Sequence, residues 1–305
     1  MTSRIELPAC THEPLAGLLN TLRLERTGQN RYQAKNIPQL TGRVYGGQIL
    51  AQATIAAADT VNLGADPDER LAHSITAAFL RPGKVDTLTE FEVVELNDAR
   101  SFSTRSVRAR QNGVILFTAR VSFQLYQPGP SFGTSMPYAP DPETLRSSVD
   151  FFSRVDNVWG HLMSTTNAVD MRHVDGHIYT GPAKVASNHT QIWFRSRVPM
   201  PENSSKLLQR AMLGYAADQF MLEPVMRQTG IYWTNPSASI ATLDHSIWWH
   251  RNFDMSDWIL ADLESPSAQN GRGLSIAKFF QHGKHVATMS QEGMVRLRSV
   301  TQHTD

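Results

Sequence analysis

Residues 47–60 read GQILAQATIAAADT, and a His-Ser pair, His73-Ser74, follows them. Five alanines between Ala51 and Ala58 and the absence of proline predict a helix with a small-residue surface. After His73-Ser74 come runs that read as strands. Thr104–Arg110 alternates, with Arg105, Val107 and Ala109 on one face. Val114–Leu125 follows an Asn112-Gly113 hairpin signal. The same order recurs downstream. Residues 206–227, KLLQRAMLGYAADQFMLEPVMR, predict a second alanine-containing helix; His245-Ser246 is the second pair, and His282-Gly283 the second turn. From pair to turn glycine the separation is 40 residues in the first unit and 38 in the second. Matched elements at matched spacing mark a duplicated unit.

Each unit is one helix followed by strands joined by short turns, the second unit's at 258–264, 275–280 and 286–297. Short turns imply an antiparallel sheet, and one face of it needs a cover. Alanines and Gly214 let the helix lie close enough to supply that cover. The predicted fold class is α+β, a double hotdog, with the two sheets joined edge to edge. Five of the 16 prolines fall at 128, 130, 137, 140 and 142, where neither a helix interior nor a central strand can tolerate them. The predicted organisation is a first lobe over 1–127, a Pro/Gly-rich linker over 128–150 and a second lobe over 151–305. A length of 305 residues agrees with two domains of roughly 150 each.

Composition excludes several classes. Charged residues are 19% and the net charge is +1, with no long basic run, so nucleic-acid binding has no electrostatic support. No apolar run approaches a membrane span. The single cysteine, Cys10, and the lack of a basic-then-apolar leader favour a reducing compartment, the cytoplasm. The terminal TQHTD is not a Ser-Lys-Leu address. His173/His177 and His282/His285 are the close histidine pairs. Neither has a helical HEXXH context or a cysteine pair beside it, so no metal is expected. No GxSxG elbow, Walker A motif or dinucleotide fingerprint is present.

Seven segments together resemble the type II acyl-CoA thioesterases, the TesB-like double-hotdog family. They are RVYGGQILAQA (43–53), HSITAAFLRPG (73–83), SFSTRSVRARQNG (101–113), ARVSFQ (119–124), LGYAADQF (213–220), IATLDHSIWWHR (240–251) and SQEGMVR (290–296). The resemblance runs over residues 12–298 and is loose over 128–205. It implies hydrolysis of acyl-CoA to fatty acid and coenzyme A by water held among an Asp, a hydroxyl residue and a Gln. Those roles fall on Asp218, Thr242 and Gln291. It also implies no cofactor and a homodimer or homotetramer.

The residues read alone leave alternatives. Asp218 interrupts the apolar run AMLGYAADQFML, as a buried base or as a helix-capping residue. Thr242 and Gln291 can orient water, or can be ordinary half-buried strand residues. Strand alternation groups Thr242 with Asp244 and Ser246, making Asp244 a rival carboxylate, and puts His245 on the other face. Gly46-Gly47-Gln48 opens the first helix, as a carbonyl or anion contact or as a turn that needs glycine. His73 has a suitable pKa for proton transfer, but it and His245 hold equivalent repeat positions, which suggests a shared structural job. Arg81, Arg105 and Arg108, with Lys84 and Arg110, could grip the coenzyme A phosphates or form a solvated sheet edge. The competing functions are a hydratase acting on enoyl or hydroxyacyl thioesters and a non-catalytic acyl-CoA sensor.

Overall fold

The computed structural model describes residues 5, 7–61, 66 and 68–297. The first half contains α1 (Leu15–Leu22), β1 (Glu25–Gly28), β2 (Arg31–Ala34), α2 (Gly46–Asp59), β3 (Arg70–Phe79), β4 (Thr89–Asp98), β5 (Phe102–Gln111) and β6 (Val114–Leu125). The second contains α3 (Ser148–Ser153), α4 (Val158–Thr166), β7 (Val169–His173), β8 (His189–Ser196), α5 (Lys206–Ala217), α6 (Glu223–Thr229), β9 (Ala238–Trp249), β10 (Ile259–Gln269), β11 (Arg272–Gln281) and β12 (Lys284–Leu297).

All the described strands form one antiparallel sheet ordered β1-β2-β4-β5-β6-β3-β9-β12-β11-β10-β8-β7. The order mirrors itself about the β3–β9 junction, as a duplicated unit requires. That junction is antiparallel, running from Ser74↔Trp248 to Ala78↔Asp244, so the halves do join edge to edge. Asn112-Gly113 and His282-Gly283 close the β5–β6 and β11–β12 hairpins with positive φ at both central residues (49° and 78°, 50° and 74°). This turn matches the right-handed twist of the flanking strands.

The central helices α2 and α5 lie against the sheet and against each other. Every residue of α2 after Gly46 is buried, and its polar side chains Gln48, Gln52, Thr54 and Asp59 are all hydrogen-bonded. A Cβ on Gly214 would stand 3.2 Å from both Leu50 of α2 and Ile247 of β9, so the glycine lets helix, helix and sheet meet. Ser205 caps the start of α5 through Leu208 N–H, and Asp68 of the first half accepts from Lys206 and Leu207 N–H. The two helices run antiparallel, so the start of α2 meets the end of α5.

The helix expected over 206–227 is two helices. α5 stops at Ala217, and α6 begins anew at Glu223 with Pro224 in its first turn. A continuous helix would drive the Pro224 ring into the carbonyl one turn back, while a first-turn proline loses nothing. The break leaves Asp218 as the first residue beyond α5. No helix among the described residues is long and apolar enough to cross a membrane. The C-terminal TQHTD lies outside the described residues.

Candidate active site

At the break after α5 three side chains close a hydrogen-bonded ring. Thr242 Oγ1 donates to Asp218 Oδ1 at 3.0 Å. Gln291 Nε2 donates to the same oxygen at 3.1 Å and to Thr242 Oγ1 at 2.9 Å. A third donor faces it from the other half of the chain: the Gly47 N–H, at the start of α2, is turned toward the Asp218 carboxylate. The positive end of the α2 dipole therefore faces a carboxylate. Burial pushes the Asp218 carboxyl above the usual carboxylate range, while the Thr242, Gly47 and Gln291 donors pull the other way without cancelling the rise.

A bulge decides which strand residues reach Asp218. Along β12 and β9 the register moves from Glu292↔Asp244 to Gly293↔Thr242, so Leu243 is the extra residue. Thr242 is thereby carried onto the inner face with His245, whereas Asp244 is exposed opposite Glu292. The alternation expected from sequence, with Thr242 beside Asp244 and opposite His245, is wrong for this reason. His245 is instead buried with Nδ1 3.9 Å from Asp218 Oδ1. Burial pushes its pKa down to about 3, so the imidazole is neutral at physiological pH.

Gly47 and Gln48 both sit at the start of α2. A Cβ on Gly47 would stand 2.6 Å from the Tyr215 carbonyl oxygen, and one on Gly46 would stand 2.8 Å from Asp218 Oδ2. The anion that this turn contacts in the structure is the protein's own Asp218. Gln48 is fully buried and staples the preceding loop: its Oε1 accepts from Ile37 N–H, and its Nε2 donates to Asn36 and Lys35. Those bonds occupy its amide, so Gln48 is no ligand contact.

The remaining expectations divide. His73 lies at a β3 bulge, edge-on to Phe102 with ring centroids 6.1 Å apart, and is not among the residues around the Asp218 cavity. Burial and the nearby Arg210 lower its pKa. Arg105 does not grip a phosphate. Its guanidinium is 2% exposed, and its N–H groups go to Thr60 Oγ1, the Thr60, Asn97 and Thr104 carbonyls and Asp98. It has no donor left for a phosphate. Arg81 and Arg108 are exposed, with Arg81 Nη1 donating to the Ile115 carbonyl. His173 is bonded to Glu223 at 3.0 Å, and no group of three His, Cys, Asp or Glu among the described residues could hold a metal.

Asp218 opens into a cavity of about 340 Å3. Its walls include Tyr45, Tyr215, Phe152, Trp159, Met163, Tyr179 and Trp233, and its rim includes Gln39 and Thr41. Trp159, Met163 and Thr166 share one face of α4. Trp233 is held by Nε1–H donation to Glu223, itself paired with Arg227 and His173. Tyr45 donates its hydroxyl to the Tyr215 carbonyl at 2.7 Å, tying the entry of α2 to the last turn of α5. Sequence reading missed this aromatic wall. Its one sequence signal is the density of rings in Phe151, Phe152, Trp159 and Tyr179.

Comparison with known proteins agrees with this arrangement. Residues 158–294 match the family model described as acyl-CoA thioesterase, and residues 35–124 match the model of the acyl-CoA thioesterase N-terminal domain. The chain is 30% identical over 292 residues to acyl-coenzyme A thioesterase 8 of Mus musculus, covering 92% of this chain and 88% of that protein. It is 27% identical over 289 residues to acyl-CoA thioesterase 2 of Haemophilus influenzae, covering 92% and 98%. Among solved structures, the acyl-CoA thioesterase II TesB2 from Mycobacterium marinum superposes with a TM-score of 0.73 at 31% identity, covering 92% of this chain and 99% of that one.

Proposed function

The chain belongs to the acyl-CoA thioesterase family, and on that premise we propose how its residues hydrolyse an acyl-CoA to a free fatty acid and coenzyme A. The observation that carries the reading is one buried carboxylate, Asp218, ringed by Thr242, Gln291 and Gly47 N–H in the lining of an aromatic-walled cavity. The acyl group lies in that cavity, with the thioester carbonyl beside Asp218. Water attacks the carbonyl carbon, a C–O bond forms and the C–S bond breaks. The Asp218 carboxylate accepts the proton the water loses and returns a proton to the departing thiolate. Thr242 and Gln291 fix the carboxylate, each donating to Asp218 Oδ1, and Thr242 Oγ1 keeps one lone pair to accept from the water. A carboxyl held above its ordinary pKa is a stronger base than a surface aspartate once ionised.

The coenzyme A phosphates belong outside the cavity rim. Val44 N–H donates to the Gly83 carbonyl, and Arg43 and Lys84 form a β-bridge, so the rim segment is joined to the segment carrying Arg81. Arg43, Arg81 and Lys84 are exposed there, which supports a cationic grip on the phosphates. Arg108 is a further candidate on the outer face of β5. We also propose a cytoplasmic homodimer or homotetramer, with the outer strands β1 and β7 as available seams. The single free cysteine is compatible with that compartment.

The test is hydrolysis of a C4–C16 acyl-CoA panel in 18O-labelled water under single-turnover conditions. The proposal expects stoichiometric free thiol and one label in the acid. Label in Asp218 instead would mean direct attack by the carboxylate, and conversion of an added enoyl-CoA without free thiol would mean hydratase chemistry.

A further inference from the structure

The ring at Asp218 leaves one question of chemistry open. Gln291 uses both amide hydrogens of Nε2, one on Asp218 Oδ1 and one on Thr242 Oγ1. The opposite orientation of the same amide would aim Oε1 at the carboxylate, with oxygen facing oxygen. Something must favour the first orientation, because the two differ only by a half-turn of a side-chain amide. Oε1 is buried and has no hydrogen-bond partner among the described residues.

The residues on either side of Gln291 carry the complementary groups. In the sheet register, Ser275 of β11 stands directly opposite Gln291, and His245 of β9 stands opposite it on the other side. Directly opposed residues on one face of an antiparallel pair have Cβ atoms about 4.5–5.5 Å apart. All three point to the inner, helix-covered face, with Ser275 0% and Gln291 and His245 each 1% exposed. Ser275 Oγ and both His245 ring nitrogens are, like Gln291 Oε1, buried without a partner among the described residues. A run of unpartnered buried polar atoms on three neighbouring strands is uncommon, since such atoms are costly unless they serve a purpose. The row holds two acceptors that need a donor, Gln291 Oε1 and the unprotonated ring nitrogen of His245. It also holds two idle donors, the Ser275 hydroxyl and the single N–H of a neutral imidazole. A rotation of the Ser275 side chain or one bridging water joins them.

We propose that Ser275 and His245 are positioning residues of the reaction, holding the Gln291 amide by its oxygen so that its nitrogen faces Asp218 and Thr242. Neither touches the reacting atoms. The proposal rests on the thioesterase reading of the site.

The test compares Ser275→Ala, His245→Phe and His245→Asn in the wild-type and Gln291→Ala backgrounds, reading thiol release, KM and Tm. A purely structural role leaves kcat of Ser275→Ala unchanged, because removing a buried unpartnered hydroxyl relieves a cost. The proposal expects its kcat to fall roughly 3–30-fold with KM within about twofold and Tm unchanged or higher. It expects His245→Phe to lose roughly 10–100-fold in kcat and His245→Asn, which keeps an N–H, to recover part of it. In the Gln291→Ala background neither Ser275→Ala nor His245→Phe should slow the enzyme further, which is the signature of action through Gln291. If Gln291→Ala is slow while Ser275→Ala and His245→Phe both keep wild-type kcat, the positioning proposal fails and the site reading stands. If Ser275→Ala and His245→Phe slow both backgrounds equally, they do not act through Gln291 and the proposal also fails. Should the wild type release no thiol, the thioesterase reading fails first and takes the proposal with it.

Discussion

Replacing Gly47 by alanine perturbs the one place where the two halves of the chain meet at the carboxylate. The new Cβ would stand 2.6 Å from the Tyr215 carbonyl oxygen and 2.7 Å from the Tyr45 ring. Ordinary contact begins near 3.4 Å, so the start of α2 must draw back from the end of α5 by about 0.8 Å. The obstacle is backbone, not the end of a flexible side chain, and overpacking of this kind costs about 1–3 kcal/mol. In a chain of this size that lowers Tm by roughly 2–10 °C. The catalytic cost is separate. Gly47 N–H is a donor to Asp218, and Tyr215 leads directly into the break that aims it. A displacement near 1 Å at a reacting group can cost about 10²-fold, so kcat/KM should fall roughly 10–100-fold. Gly214→Ala is the control: its Cβ meets only side-chain ends of Leu50 and Ile247, at 3.2 Å, and should cost less than about threefold in kcat/KM. Differential scanning calorimetry and a thiol-release assay read the two effects. A Gly47→Ala enzyme with wild-type kcat/KM would refute the claim that α2 sets the position of Asp218.

Other outcomes follow from the same geometry. Because burial raises the Asp218 pKa and the base must be ionised, kcat should rise with pH through a value above the usual carboxylate range and then level off; a profile flat down to pH 4 would contradict this. The folded-state pKa is raised, so the stability that Asp218 contributes is complete below its unfolded pKa and is lost as pH rises through the folded one. Asp218→Asn should therefore gain stability relative to wild type at pH 8 compared with pH 4, as urea midpoints at the two pH values will show. Arg105→Ala should lose about 2–3 kcal/mol while KM for acyl-CoA stays within about twofold, separating a buried structural cation from a phosphate contact. Met163→Trp fills the cavity beside Trp159 and should raise KM for long acyl chains about tenfold or more while sparing C4; equal effects on both would remove the acyl group from this cavity.

Much of this was legible in the sequence. Repeated order and spacing, two hairpin turns and alanine-rich helices were enough for a double hotdog. The hairpin signal at Asn112-Gly113 is local, so nothing distant could override it. The break before Pro224 was equally readable, yet the alanine pattern hid it. Arg105 carried its own warning, since alternation put it on one face with the apolar Val107 and Ala109, the face the structure buries. The Leu243 bulge is different. One extra residue reverses which neighbours Thr242 has, and no local pattern around TLDHS announces it. The aromatic wall was illegible for another reason: it gathers Tyr45, Phe152, Tyr179 and Trp233 from distant segments, and that proximity exists only after folding. Gly47 illustrates the same limit, because its need for glycine comes from Tyr215 on a helix of the other half.

The central claim is that Asp218 is the base for water attack on a thioester. The most direct test is free-thiol release from an acyl-CoA by wild type beside Asp218→Asn, with circular dichroism showing that both are folded. The wild type should release thiol, and kcat should be lower by roughly 10²–10⁴-fold in the variant. A folded Asp218→Asn protein that retains wild-type kcat would contradict it.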